Sequence, residues 1–149
     1  MKIILAGYSS ELIRLIKKCD LKIVGIVEPD KNVKISNQDV FNSDEEAIKT
    51  ISPDGVIIGI DNISRKKIAH SIYRKNNVKC MDLILGNISK STTFDSGLIL
   101  QQDSIVSENC KIGKNVKINI SATIMHDVVI GDYSVIAPSA TILGRVKIG

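Results

Sequence analysis

In the last third of the chain an aliphatic residue returns at every sixth position. Leu100, Val106, Ile112, Ile118, Ile124, Ile130, Ile136, Ile142 and Ile148 form the series, and isoleucine fills its last seven places. A second row stands two residues earlier: Leu98, Ser104, Cys110, Val116, Ala122, Val128, Ser134, Ala140 and Val146, mostly small or aliphatic. Neither the helical period nor strand alternation reproduces this pattern over residues 98–149. A sixfold beat predicts a β-helix solenoid: three hexads make one triangular coil of about eighteen residues, with the recurring isoleucine inside. A β-sandwich would show turns at a looser spacing and no fixed period.

The preceding residues follow another rule. Lys2–Gly7, Lys22–Val27, Gly55–Ile60 and Val78–Leu85 read as four buried strands. Between them lie helical patterns. Ser9 or Ser10 caps an amphipathic run through Leu12, Ile13, Leu15 and Ile16; residues 43–51 open on a capping-box sequence, Ser43-Asp44-Glu45-Glu46; residues 63–76 carry charges on one face. Strands spaced by helices predict βαβ units and a parallel sheet. Residues 86–97, polar and flanked by glycine, read as a linker or entry segment. The expected organisation is therefore an α/β domain over 1–85, a linker over 86–97 and a β-helix over 98–149.

Composition narrows the function. Hydrophobic residues make up 44% of the 149, but aromatics only 3%, with no tryptophan. The core must be aliphatic, which suits a stacked, repetitive interior. The net charge is +4, yet the lysines are dispersed and there are few rings to stack on bases, so nucleic acid is not the expected partner. An anionic small molecule or coenzyme fits equally well. Three separated cysteines show no metal spacing and read as reduced thiols in a cytoplasmic protein. The first apolar run is too short for a signal peptide and no stretch is long enough to insert in a membrane.

Only two histidines occur. His70 lies in a helical pattern and reads as a helix-surface residue. His126 interrupts the repeat two places after an inward isoleucine, near a coil corner where side chains face out. One coil on lies Gly144; one coil back lies Glu108. A histidine stacked against a glycine leaves room for a ligand, and a neutral imidazole takes a proton near pH 7. Asp127 beside it would orient the ring. A solvated corner histidine is the bland alternative.

The motif His126-Asp127-x-x-Ile130-Gly131-Asp132, with Asn119 seven residues before the histidine, resembles the bacterial sugar acyltransferases of the sialic-acid O-acetyltransferase and UDP-4-amino-sugar N-acetyltransferase family. Gly7-Tyr8-Ser9-Ser10, Glu28-Pro29-Asp30 and Gly59-Ile60-Asp61-Asn62 followed by Arg65 extend the resemblance over nearly the whole chain. It implies an α/β Rossmann-like N-terminal domain that binds a nucleotide-sugar, followed by a left-handed parallel β-helix that binds acetyl-CoA, in a homotrimer. It also implies roles. His126 would be the general base and Asp127 the acid that raises its basicity. Gly7, Ser9, Ser10, Glu28, Asp30, Gly59, Asp61 and Asn119 would bind the acceptor substrate. Gly144 and Val135 would lie at the coenzyme, with the Gly144 N–H facing the oxyanion. No metal is implied.

This sequence also departs from the family. The turn after the first strand has one glycine and an acidic residue, Glu11, in place of a glycine-rich phosphate cradle. That absence counts against an NAD-dependent enzyme built on the N-terminal domain. Val135 stands where the family often has a second histidine. The sequence ends at Gly149 within a coil, so the β-helix is expected to be truncated at its C-terminus. Two functions follow: an acetyl-CoA-dependent acetyltransferase acting on an amine or hydroxyl of a nucleotide-activated amino sugar or sialic-acid-type sugar, or an inactive scaffold or nucleotide-sugar-binding protein of the same family.

Overall fold

The apolar run at the start of the chain becomes β1 (Lys2–Ala6), the central strand of a five-stranded parallel sheet. The structure, a computed structural model, describes residues 1–30, 32–33, 35 and 38–149. It divides into two units, Met1–Met81 and Asp82–Gly149.

In the first unit β2 (Lys22–Val27) and β3 (Val40–Phe41) lie on one side of β1, and β4 (Gly55–Ile58) and β5 (Lys79–Cys80) on the other. The order is β3-β2-β1-β4-β5 and every described pairing is parallel. Helix α1 (Ser10–Ile16) follows β1, α2 (Asp44–Ile51) follows β3 and α3 (Ile63–Lys75) follows β4. Each begins where a short polar side chain accepts a backbone N–H: Ser9 from Leu12, Ser43 from Glu46, Asn62 from Arg65. Glu46 Oε2 reaches back to the Asn42 N–H at 3.1 Å, one residue before the N-cap that a capping box would engage.

Both faces of β1 are covered. Ile4 and Ala6 pack with Val56, Ile58, Ala47 of α2, and Ala69 and Tyr73 of α3. Ile3 and Leu5, which alternate with them, are equally buried. A Cβ added at Gly59 would stand 2.6 Å from Leu12 of α1 and 3.4 Å from Leu5, so α1 covers that second face. Burial on two sides explains why β1 and β4 read as unbroken aliphatic runs. The chain leaves β1 toward β2 on one side and returns to β4 on the other. This reversal opens a crevice beyond the carboxyl ends of the strands.

The second unit stacks two-residue strands on three faces. The first face holds β6 (Leu83–Ile84), β9 (Ile99–Leu100), β12 (Lys117–Ile118) and β15 (Val135–Ile136). The second holds β7 (Asn87–Ile88), β10 (Ile105–Val106), β13 (Thr123–Ile124) and β16 (Thr141–Ile142). The third holds β8 (Thr93–Phe94), β11 (Lys111–Ile112), β14 (Val129–Ile130) and β17 (Lys147–Ile148). All described pairings are parallel. The two sixfold rows line one core: Leu98, Leu100, Val106, Cys110, Ile112, Val116, Ile118, Ala122, Ile124, Val128, Ile130 and Ile136 are buried in it, with Ala140, Ile142 and Ile148 packed against it.

Two sequence expectations are corrected. Residues 86–97 are not a linker: β7 and β8 pair with β10 and β11 and belong to the first coil. Its hexads hide because Gly86 and Thr92 fill the second row. Thr92 is satisfied inside, donating Oγ1–H to the Ser107 carbonyl at 2.7 Å and accepting the Cys110 N–H at 3.0 Å. The expected strand Val78–Leu85 is two strands, since Lys79–Cys80 pairs with β4 while Leu83–Ile84 pairs with β9. The boundary therefore falls between Met81 and Asp82 rather than at 85 and 98. Asp82 Oδ1 accepts the N–H groups of Gly97 and Leu98 at 2.7 and 2.9 Å, which ties down the first coil.

The corners share one feature absent from the apolar pattern. Asp103, Asn109, Asn115, Ser121, Asp127, Tyr133, Ser139 and Arg145, six apart, all have positive φ, and Gly97 begins the row at +83°. From Gly97 onward each corner takes one left-handed residue, a conformation that favours Gly, Asn and Asp.

Candidate functional site

His126 occupies the corner between β13 and β14. Both coils around it hold its backbone: the Asp127 N–H donates to the Glu108 carbonyl at 2.9 Å, and the Arg145 N–H donates to the His126 carbonyl at 3.0 Å. Asp127 is the left-handed residue of this corner, at φ 60°. That conformation turns its carboxylate back on the neighbouring ring, and His126 Nδ1 lies 2.8 Å from Asp127 Oδ2. With Nδ1 donating to the carboxylate, Nε2 carries the lone pair. The two side chains are 46% and 42% exposed, so a substrate can reach the pair.

Gly144 lies against the same ring. A Cβ there would stand 2.8 Å from His126 Cε1 and 2.9 Å from Nε2. The eighteen-residue stacking expected from the sequence thus brings His126 and Gly144 together. Arg145 adds a cation, its Nε 3.9 Å from Asp127 Oδ2. The Asp127 carboxyl is held below the ordinary carboxylate range, first by its hydrogen bond to His126, then by the charges of His126 and Arg145 and a bond from Asn109.

Asn119 and Val135 do not join this cluster within the chain. Asn119 is buried at the corner between β12 and β13, and its Nδ2 donates to the Ile136 carbonyl at 2.6 Å. Val135 is half-buried in β15, beside Lys117 of β12. His126 sits at the far end of the face that separates these two corners.

In the first unit, Gly7, Glu28, Asp30, Gly59 and Asp61 meet around a cavity of about 410 Å³ at the carboxyl ends of β1, β2 and β4. Tyr8, Val27, Pro29, Ile60 and Arg65 complete its wall among the described residues. Gly7 has φ +87°, and a Cβ there would stand 2.7 Å from Ile60, so only glycine lets the ends of β1 and β4 approach. Glu28 fixes the loops: Oε2 accepts the Tyr8 N–H at 3.1 Å and Oε1 the Asp30 N–H at 3.0 Å. Asp30 Oδ1 accepts both the backbone and side-chain N–H of Asn32 at 2.9 Å. Ser9 and Ser10 are not in the cavity wall, and the Ser9 hydroxyl is occupied as the cap of α1. Arg65 reaches the wall from α3 with Nη1 2.7 Å from the buried carboxylate of Asp44. Asp44 has no apolar or motif signal in the sequence beyond its place in the α2 cap.

Among the described residues no cluster of His, Cys, Asp and Glu is arranged to hold a metal. No helix among them is long and apolar enough to cross a membrane.

Residues 109–149 match the family model described as bacterial transferase hexapeptide (six repeats). The matched residues are the part of the second unit in which the sixfold rows are most regular. Among solved structures, a single-residue mutant of GDP-perosamine N-acetyltransferase from Caulobacter crescentus, in complex with CoA and GDP-perosamine, superposes with a TM-score of 0.86 at 15% identity, covering 99% of this chain and 73% of that one. The acetyltransferase domain of PglB from Neisseria gonorrhoeae, in complex with acetyl coenzyme A, gives 0.84 at 17% identity, covering 99% and 76%. At such identities the likeness establishes a common fold.

Proposed function

We propose that this chain is an acetyl-CoA-dependent acetyltransferase of the sugar-modifying kind, cytoplasmic, with His126 as its general base. The observation that carries this is the corner itself: an exposed imidazole with Nδ1 fixed by a carboxylate and its other edge over a glycine. Such a ring has one task open to it, the transfer of a proton at Nε2.

The chemistry balances without a covalent enzyme intermediate. The acceptor amine or hydroxyl attacks the thioester carbonyl and passes its proton to His126 Nε2. Asp127 stabilises the imidazolium, and the Gly144 N–H would steady the oxyanion. Collapse breaks the carbon–sulfur bond, and the proton leaves with the CoA sulfur. Holding both substrates in one cleft supplies the remaining advantage.

The first unit would act as a Rossmann-like domain that holds a nucleotide-activated amino sugar in the cavity bounded by Gly7, Glu28, Asp30, Gly59 and Asp61. The strand order and the crevice at its reversal support this. The solved relatives bound to GDP-perosamine point to an amine as the acceptor. The second unit would be left-handed, and the protein a homotrimer. Asn119 lies at another corner of the prism from His126 and Gly144, and Val135 on a strand of another face, so a cleft that uses all four would take its two walls from neighbouring copies.

The test is thiol release from acetyl-CoA in the presence of UDP- or GDP-linked amino sugars. Turnover should fall about a hundred- to ten-thousandfold in His126→Ala. Turnover equal to that of the unmodified chain would remove His126 from the mechanism.

A further inference from the structure

We propose that Arg65 is the anion-binding residue of the N-terminal cavity, aimed by the buried carboxylate of Asp44, and that it takes a phosphate of a nucleoside diphosphate. This rests on the nucleotide-sugar reading above.

The cavity poses an electrostatic problem for such a ligand. Glu28, Asp30 and Asp61 line it, and among the described residues Arg65 is the one cationic side chain in its wall. Glu28 and Asp30 are directed at backbone N–H groups of the loops, where they fix the shape of the crevice. A diphosphate entering there needs a cation that does not fold back onto those carboxylates.

Asp44 provides the restraint. It is the first residue of α2 and its side chain is 1% exposed, while that of Arg65 is 31% exposed. Nη1 is thus drawn inward as the ion-pair partner of Asp44, while the partly exposed side chain belongs to the cavity wall. The planar group carries five donors in a rigid fork, so a carboxylate and a phosphate oxygen can be bonded at once. Tyr73 of α3 seals the inner side. It is fully buried, and burial, then the Asp44 charge, keep its hydroxyl protonated far above the ordinary phenol range. A mere counterion for Asp44 would have no reason to reach the cavity wall. A lysine at 65 would keep the charge but could not bond both groups in one plane.

The experiment is calorimetric titration of the full chain with UDP and GDP, with the parent nucleosides and with inorganic diphosphate. Arg65→Gln should weaken the preferred nucleoside diphosphate about tenfold or more, the loss expected for one charge-assisted bond. It should leave the nucleoside unchanged, and Arg65→Lys should recover only part of the loss. Asp44→Asn should weaken the diphosphate and spare the nucleoside, a selectivity that general destabilisation of the fold would not produce. Equal binding of the nucleoside diphosphate by wild type and Arg65→Gln overturns the assignment and leaves the nucleotide-sugar reading standing. Arg65-dependent binding of inorganic diphosphate without binding of either nucleotide supports the anion site and overturns the nucleotide as its ligand. Undiminished affinity in Asp44→Asn removes Asp44 from the proposal, and failure to bind any of the probes overturns both readings.

Discussion

Gly144 lies so close under the imidazole of His126 that a single added carbon would stand 2.8 Å from its edge. The ring cannot simply yield, because Nδ1 is tethered to Asp127 and the His126 carbonyl is bonded from the coil above. Gly144→Ala must therefore rotate the ring or open the coil. A reacting group displaced by about an ångström costs roughly a hundredfold in rate. The expected result is a ten- to hundredfold loss of kcat/KM with a nearly unchanged unfolding temperature. Full activity in this variant would show that the position of the ring is not critical.

The same pair fixes a titration. Asp127 is depressed from an ordinary value of 3.8, and the His126 hydrogen bond is the largest cause. The folded value lies below the unfolded one, so the linked stability is present above pH about 3.8 and lost as pH falls through the folded value. Carboxylate NMR should place the Asp127 midpoint below 3.8 in the native chain. His126→Ala should raise it toward that ordinary value, and Arg145→Ala should raise it less. A midpoint unmoved by His126→Ala would mean that the two side chains are not paired in solution.

The isoleucine ladder makes its own prediction. Ile130 is 1% exposed and stacks between Ile112 and Ile148. Ile130→Ala should cost about 2–5 kcal/mol, the range for a buried aliphatic truncation, read as a lower denaturant midpoint. A cost below about 0.5 kcal/mol, typical of surface sites, would place that side chain outside the core.

Why the ladder was visible in the sequence while its first coil was not is a matter of which side chains fill the inner rows. From Leu98 onward nearly every inner place is aliphatic, and seven isoleucines in strict register leave no competing period. In the first coil Gly86 and Thr92 stand in the second row, and Leu83 pairs with Ile99, sixteen residues on, where later coils take eighteen. The break in period and the polar inner side chain made a coil look like a linker. In Val78–Leu85 a single aspartate, Asp82, marks the point where the two ends part to different sheets, too slight a break to read as a boundary. His126 and Gly144 were within reach because the period itself makes them neighbours. Asp44 and Arg65 were not paired in advance, because they lie on separate helices brought together only by packing on one face of the sheet. The corner conformations were half visible: Gly97, Asp103, Asn109, Asn115 and Asp127 carry the residue types that tolerate positive φ, but Tyr133 and Arg145 break that code.

The corner row shows where the fold tolerates strain, and Ser139 tests it. This residue sits at φ 57° and is exposed, with its N–H donating to the Ile120 carbonyl at 3.0 Å. A left-handed conformation costs an ordinary L-residue about 1–2 kcal/mol, and Asn recovers part of it through local hydrogen bonds. Ser139→Asn keeps the backbone bond and should raise stability by about 0.5–1 kcal/mol. The gain would appear as a higher denaturant midpoint at constant slope. A loss of stability would mean that the serine has a role beyond its backbone angle. At Asp127 the same preference serves chemistry: the left-handed residue of that corner is also the one that orients the imidazole, so Asp127→Gly should relax the corner while abolishing the pairing, separating fold stability from rate in one variant.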